Sequence, residues 1–536
     1  MRIVFLDIYS DDHNPNIPKW KYSLAIAYLK SYLTKSKYYD KLDFIHLKFY
    51  ESVSSEFVEN EIISSCPDVL AVSCYVWNIK KVLEVLSKCK KINPAIKVVL
   101  GGAEFMQSSK EQSINLMAEN SSIDFIVLSE GEITFFELIE SFLDKDAKQL
   151  SDINGLIYKK DNHIPISNPP RENMLNINDI PSPYLNGTVD LNSLRNELIA
   201  IETQRGCPYG CAYCNYTKGS TKIRLFETDR VLKELELIIQ HQPRQIFLMD
   251  PTFNSIKKRS KGILEAIKIM REKYKSKTTI STEMFPENLD EELIVLCKDA
   301  GMNYLQIGIQ TFNEKALKLM GRTRNEAKLR SLISFALKQG LNIAPQIIYG
   351  LPGDDIASFY NTFNNIYMLQ CADCQISKLL LLPGTVYLTR AKELGIIYEK
   401  NAPYSIIESI DFTKDEILLL DNFRNLTLMT LQMKQEIMNI QLSVNVNYHE
   451  IFIEFINNSL SKIFDFSWPI ISKNDSINAK IVINNFGDYL LNVYGNKIDE
   501  QTKLSIINKK RSIIQMIEYT FLQKSLPNSR VGIRIQ

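Results

Sequence analysis

Cys207, Cys211 and Cys214 fall within eight residues, in the stretch Thr203-Gln204-Arg205-Gly206-Cys207-Pro208-Tyr209-Gly210-Cys211-Ala212-Tyr213-Cys214. Protein iron–sulfur clusters are usually held by four thiolates. A compact Cys-x3-Cys-x2-Cys trio could therefore ligate three irons of a 4Fe–4S cluster and leave the fourth open. An open position is also what separates a catalytic metal site from a structural one. Gly206 and Gly210 let the backbone wrap closely round the sulfurs. Zinc is the competing reading, but a structural zinc wants a fourth ligand, and no further His or Cys lies close in sequence. Cys371 and Cys374 form a second, looser pair. Without two more ligands they read as buried thiols.

The elements that must position the cysteine loop are those of an alternating β/α chain. From residue 197, strands fit 198–203, 245–249, 278–283, 304–309, 342–348 and 374–381. Thr228 reads as the cap of a helix with Val231, Leu232, Leu235, Ile238 and Ile239 on its apolar face. Leu293, Leu296, Cys297 and Ala300, ended by Gly301, mark another helix. Six such units predict a partial barrel, with the cysteines on the loop after its first strand. Ahead of it, residues 1–145 alternate strands near 2–7, 42–46, 69–73, 97–100 and 124–128 with helices near 21–34, 80–91, 109–118 and 133–143. In an open parallel sheet, ligands bind beyond the carboxyl ends of the strands. The loops there are Ser73-Cys74-Tyr75-Val76-Trp77-Asn78, Gly101-Gly102-Ala103-Glu104 and Ser129-Glu130-Gly131-Glu132; their plainer reading is as ordinary turns. Residues 146–196, with five prolines, read as a connector carrying one hairpin near Gly155–Tyr158. The barrel then spans 197–395, and 396–536 is mostly helical in pattern.

Composition narrows the class. The 536 residues include 63 basic and 62 acidic side chains, which argues against a broad electrostatic footprint for nucleic acid. No apolar run approaches the roughly 18 residues of a membrane span. Nine cysteines are too few for a disulfide scaffold. Residues 1–7 read as a strand and not as a signal peptide, so the expected location is cytoplasmic.

The cysteine spacing at the first of six β/α units resembles the radical S-adenosylmethionine (SAM) superfamily. That resemblance implies a 4Fe–4S cluster whose open iron chelates SAM, and one-electron cleavage to a 5′-deoxyadenosyl radical. It also implies SAM contacts at Tyr213, Asp250, Glu283, Gln310, Arg322 and Leu351, each at or near a strand end. Taken alone, Asp250 reads equally as a helix cap, Arg322 as a solvated charge and Gln310 as a polar strand end. The segments around Gly101, Gly102 and Glu104, and around Glu130, Gly131 and Glu132, are similar to the cobalamin-binding domain fused to many radical enzymes. Ser73–Ile79 and the stretches from Tyr404 to Ile417 resemble a subgroup with a C-terminal domain of unsettled function. Many cobalamin proteins ligate cobalt through Asp-x-His-x-x-Gly. None of His13, His46, His163, His241 and His449 stands in that context, although Asp11-Asp12-His13 comes closest. Cobalamin is therefore expected to bind without a protein ligand on cobalt, with Tyr75, Trp77 or Asn78 over its lower face. A domain that has lost the cofactor is the alternative.

Together these features predict an α/β protein: a Rossmann-like cobalamin-binding domain, a partial (β/α)6 radical SAM barrel and a helical C-terminal domain. The leading function is radical C-methylation of a small metabolite or peptide, with an electron donor such as flavodoxin or ferredoxin. A rearrangement, cyclisation or ring contraction using the same cofactors is the alternative. Methylthio transfer to tRNA needs a second cluster, for which Cys66, Cys74 and Cys89 make a poor trio. A non-catalytic cobalamin sensor has no use for the cysteine loop.

Overall fold

The computed structural model describes residues 1–10, 21–160, 164–216, 222–369, 371, 374–459 and 476–525. The N-terminal sheet contains parallel strands β1 (Arg2–Tyr9), β2 (Asp43–Tyr50), β3 (Val69–Ser73), β4 (Lys97–Gly101) and β5 (Phe125–Val127), in the order β2-β1-β3-β4-β5. Its strands are apolar on both faces because helices cover both. Leu24–Leu33 and Glu132–Leu143 pack on one face, around Phe5, Phe135 and Leu138. Ser55–Ser64 and Ile79–Ile92 pack on the other, around Val58, Leu70 and Val82. The strand order reverses between β1 and β3, which places a ligand crevice at their carboxyl ends.

The hairpin expected in the connector is present as β6 (Leu156–Lys159) and β7 (Pro165–Ser167). It pairs antiparallel with β5, so the first sheet continues through Ser167. The second sheet is parallel and open, with β8 (Leu198–Ile201) as one end strand. A small antiparallel stem follows, β9 (Gln204–Arg205) with β10 (Arg224–Leu225). Then come β11 (Gln245–Leu248), β12 (Thr279–Met284), β13 (Tyr304–Gln310), β14 (Asn342–Tyr349) and β15 (Gln375–Lys378), in the order β8-β11-β12-β13-β14-β15. Ile246, Leu248, Leu305, Ile307, Ile309 and Ile347 point outward into the helical layer. The alternate positions turn polar groups inward, where Gln245 Nε2 donates to Ser281 Oγ at 2.7 Å.

Thr228 begins its helix without capping it. Glu227 holds the cap position, and the Thr228 hydroxyl accepts from Arg259. Asp290 caps the helix Glu291–Asp299, and Gly301 ends it in the left-handed region. Cys371 and Cys374 are buried. Among the described residues no helix is long and apolar enough to cross a membrane.

Beyond the barrel, β16 (Ile397–Tyr398) and β17 (Ile406–Glu408) form a hairpin. The C-terminal helices pack on the outer helix Ile356–Met368, with ring centroids 4.7 Å apart for Phe363–Phe423 and 4.5 Å for Tyr367–Tyr448. Arg424 Nε donates to the Ile376 carbonyl at 2.7 Å, which covers end strand β15. These helices thus lie against the barrel's flank, while the β16–β17 hairpin reaches the N-terminal domain.

Gly102 follows β4 at φ +107°, and a Cβ there would sit 2.6 Å from the Cys74 carbonyl oxygen. Gly102→Ala should therefore cost about 1–3 kcal/mol of stability. The loss should register as an earlier denaturant midpoint with the slope of the transition unchanged.

Candidate active site

The cysteine loop rises from the β9–β10 stem, in which Arg205 pairs with Arg224. Gly206 follows at φ +93°, and a Cβ there would lie 2.3 Å from the Lys222 carbonyl oxygen. Only glycine lets the two limbs close at that point. Each sulfur meets a polar neighbour. Arg322 Nε donates to Cys211 Sγ at 3.2 Å, and the Tyr216 N–H to Cys214 Sγ at 3.4 Å. Cys207 Sγ lies 3.4 Å from Thr252 Oγ1. Burial pushes the Cys214 thiol up to about 11, so it would need a metal's charge to ionise near neutral pH. Among the described residues no three His, Cys, Asp or Glu side chains are arranged to hold one ion. Donors on the sulfurs and a cation beside Cys211 fit an anionic iron–sulfur cluster.

Neighbouring strand ends grip this loop. Arg322 also donates to the Gly308 carbonyl at 2.7 Å, and its guanidinium lies 4.8 Å from the Phe285 ring and 6.0 Å from that of Tyr213. Tyr209 stacks on Phe285 with centroids 3.7 Å apart. Arg322 is therefore no solvated charge. Gln310 ends β13 in the left-handed region, at φ 67°, with its Oε1 buried and unpartnered. Strain and an unmet acceptor together mark a place where a ligand belongs. Glu283 faces Gln346 Nε2 at 3.5 Å on the inner side of the sheet, and burial pushes its carboxyl up.

Two of the residues expected at SAM are buried within the fold. Asp250 is 1% exposed, and its Oδ1 accepts from the Thr203 and Gln204 N–H groups at 2.7 and 3.2 Å. It braces the entry to the cysteine loop, and it is not a helix cap. The Leu351 side chain is wholly buried, which leaves only its main chain to meet a ligand.

The N-terminal loops divide in the same way. Asn78 is filled by its own fold: Nδ2 donates to the carbonyls of Ile8 and Ser73 at 2.9 and 3.1 Å, and Oδ1 accepts from the Tyr75 N–H at 2.9 Å. It cannot cover a bound ring. Tyr75 and Trp77 stack at 4.4 Å with Trp77 47% exposed, an aromatic plane that suits a flat macrocycle such as cobalamin. Glu104 Oε1 accepts from the Tyr404 hydroxyl at 2.6 Å, while its Oε2 is buried without a partner. Gly101 closes β4, and Gly131 caps the helix Glu132–Leu143. Glu130 and Glu132 pair with arginines of the barrel: Arg224 Nη1 donates to Glu130 Oε2 at 2.8 Å, and Arg205 Nη2 to Glu132 Oε1 at 2.6 Å. Sequence reasoning missed both arginines, though Arg205 stands two residues before Cys207.

No described histidine faces this space as a free ligand. His46 Nε2 lies 2.8 Å from Asp7 Oδ2 within the sheet, His241 Nδ1 is 2.9 Å from the Leu237 carbonyl, and His449 stacks on Tyr360. His13 and His163 lie outside the described residues. The two sets of loops meet at Gly384. A Cβ there would lie 2.2 Å from Ser108 Cβ of the first domain and 3.4 Å from Oδ1 of Asn215, the residue after Cys214.

Replacing Cys207, Cys211 and Cys214 together with Ala should abolish the brown iron–sulfur absorbance and all SAM cleavage, whereas Cys371→Ala with Cys374→Ala should keep both. Asp250 supplies a pH test. Burial raises its carboxyl to about 7, so the native state binds a proton that the unfolded chain releases near pH 4. That contribution to stability is present at low pH and lost as pH rises toward 7. Asp250→Asn keeps an acceptor for Thr203 and removes the titration. Its melting temperature, relative to wild type, should therefore climb between pH 4 and 7.

Residues 201–366 match the Radical SAM superfamily, and residues 21–139 match the B12 binding domain. The cobalamin-dependent radical SAM methyltransferase TokK of Streptomyces tokunonensis is 26% identical over 360 residues, 64% of this chain and 49% of that protein. A 2-(S-pantetheinyl)-carbapenam-3-carboxylate methyltransferase of Streptantibioticus cattleyicolor is 31% identical over 194 residues, 35% of this chain and 28% of that one. The chain thus spans half or less of the length of these two relatives. Among solved structures, the radical SAM methyltransferase TsrM of Kitasatospora setae, with tryptophan and a SAM analogue bound, has a TM-score of 0.58 at 17% identity, covering 75% of this chain and 80% of that chain. The cobalamin-dependent SAM radical enzyme OxsB, with aqua-cobalamin and SAM bound, has a TM-score of 0.58 at 15% identity, covering 98% of this chain and 84% of that chain. At such identities the likeness is one of fold. The chain therefore carries a B12-binding domain ahead of a radical SAM domain, with residues at both that fit the cofactors.

Proposed function

We propose that this enzyme C-methylates a small metabolite or peptide by radical methyl transfer. The meeting of Ser108 and Asn215 at Gly384 carries the reading, because loops from the two cofactor domains border one space there. Held by these loops, the cluster with SAM would supply a hydrogen-abstracting radical, and cobalamin would supply a methyl group.

The chain's own part is placement. Arg322 ties Cys211 to the Gly308 carbonyl, so the cluster loop cannot shift without moving β13. Asp250 fixes the loop's entry through the Thr203 and Gln204 N–H groups. Tyr404 holds Glu104 from the β16–β17 hairpin, which ties the loop after β4 to the segment that follows the barrel. Radical capture tolerates little misplacement, and such rigid anchorage suits it. The methyltransferases among the relatives support the same reading. The cysteine loop calls for reduced thiols and a one-electron donor such as flavodoxin or ferredoxin, which fits the cytoplasm.

Two SAM molecules should be consumed per product. With the true substrate, S-adenosylhomocysteine and 5′-deoxyadenosine should appear in equal amounts, beside a product heavier by one methylene. Deoxyadenosine without matching S-adenosylhomocysteine would overturn methylation in favour of rearrangement, cyclisation or ring contraction. S-adenosylhomocysteine alone would point to polar methyl transfer.

A further inference from the structure

The turn after β5 sits where the sequence places corrin contacts, yet both of its acids are engaged by the other domain. Arg224 grips Glu130 with both terminal nitrogens, and its Nη1 also donates to the Met174 carbonyl at 3.0 Å. Arg205 Nη2 donates to Glu132 at 2.6 Å, its Nη1 lies 3.6 Å from Glu130, and its Nε donates to Glu202 at 2.9 Å. The Tyr28 ring lies 5.3 Å from the Arg205 guanidinium. All five charged side chains are 14% exposed or less. Arg205 and Arg224 are cross-strand partners in the stem, one on each limb of the cysteine loop.

We propose that Glu130 and Glu132 are positioning residues of the cluster loop, acting through Arg224 and Arg205. The N-terminal domain thereby sets where the cluster stands relative to its own bound cofactor. The physical argument is one of leverage and satisfaction. A buried guanidinium must keep its carboxylates, because leaving one uncompensated costs more than the pair itself contributes. Of the three acids round Arg205, only Glu202 belongs to the barrel. Without Glu132 and Glu130 the guanidinium turns wholly to Glu202, the stem tilts, and Cys207, two residues on, moves with it. A forked guanidinium on a carboxylate fixes orientation as well as distance, which a lysine cannot do. This role leaves neither acid free to meet a corrin side chain.

The inference rests on the cofactor assignment and not on methyl transfer. The full chain, reconstituted with iron, sulfide and hydroxocobalamin, gives two readouts: the electron paramagnetic resonance spectrum of the reduced cluster with and without SAM, and the dissociation constant for cobalamin by absorbance. In Glu130→Gln with Glu132→Gln, cobalamin affinity should stay within about threefold of wild type, while SAM affinity falls about tenfold and the SAM-bound spectrum shifts. Arg224→Lys, which keeps the charge and loses the fork, should shift the same spectrum less. It decides the matter if the double variant does not fold. Loss of cobalamin affinity beyond threefold in a folded double variant overturns the proposal and returns the acids to the corrin. So does an unchanged cluster spectrum in Arg224→Lys. A wild-type protein that assembles no cluster overturns the cofactor assignment, and the clamp with it.

Discussion

Arg205 is a cation with one-tenth of its side chain exposed, held between Glu132 at the start of the helix after β5 and Glu202 just after β8. Such a group stays buried only while its carboxylates stay in place. The requirement joins the carboxyl-end turn of β5 to the stem of the cysteine loop. It thereby brings together the ends of two parallel sheets, where each would take its ligand. The Ser108–Gly384–Asn215 approach and the Tyr404–Glu104 hydrogen bond complete the same apposition from the far side.

Around that junction, polar groups fall into two kinds. Asn78 and Asp250 have their hydrogen-bonding capacity met by main-chain partners and act as scaffold. Gln310 Oε1 and Glu104 Oε2 are buried with acceptors unmet, and Gln310 holds a left-handed backbone as well. Buried unmet acceptors cost free energy unless something arrives to meet them. Their placement beside the Arg322–Cys211 contact and in the loop after β4 coincides with the two cofactor sides.

The C-terminal helices contribute differently. Rings from Phe363, Phe423, Phe452 and Phe486 run as a continuous packed series from the barrel's outer helix into these helices. That burial, with Arg424 on β15, protects the open end of the barrel, and Asp421 of the same helix takes the Lys378 ammonium at 2.8 Å at the carboxyl end of β15.

The sequence alone determined the chemistry and the architecture. Three cysteines on one loop are a local pattern, and their meaning does not depend on what packs around them. The strands were legible too, because sheets covered on both faces leave apolar runs bounded by turns. The helix Ser55–Ser64 was not, since it buries only Val58 and Ile62, a single pair four residues apart that is too little to mark a period. The tertiary structure alone decided what each polar strand-end residue does. Glu130, Glu132, Asn78 and Asp250 could each serve a ligand or a partner. Glu130 and Glu132 find theirs 94 and 73 positions away, Asn78 reaches Ile8 across 70, and Asp250 reaches Thr203 across 47. Spacing within a loop constrains a cluster, but a carboxylate's role is set by whichever donor the fold brings within 3 Å, and that distance exists only once the sheets have met.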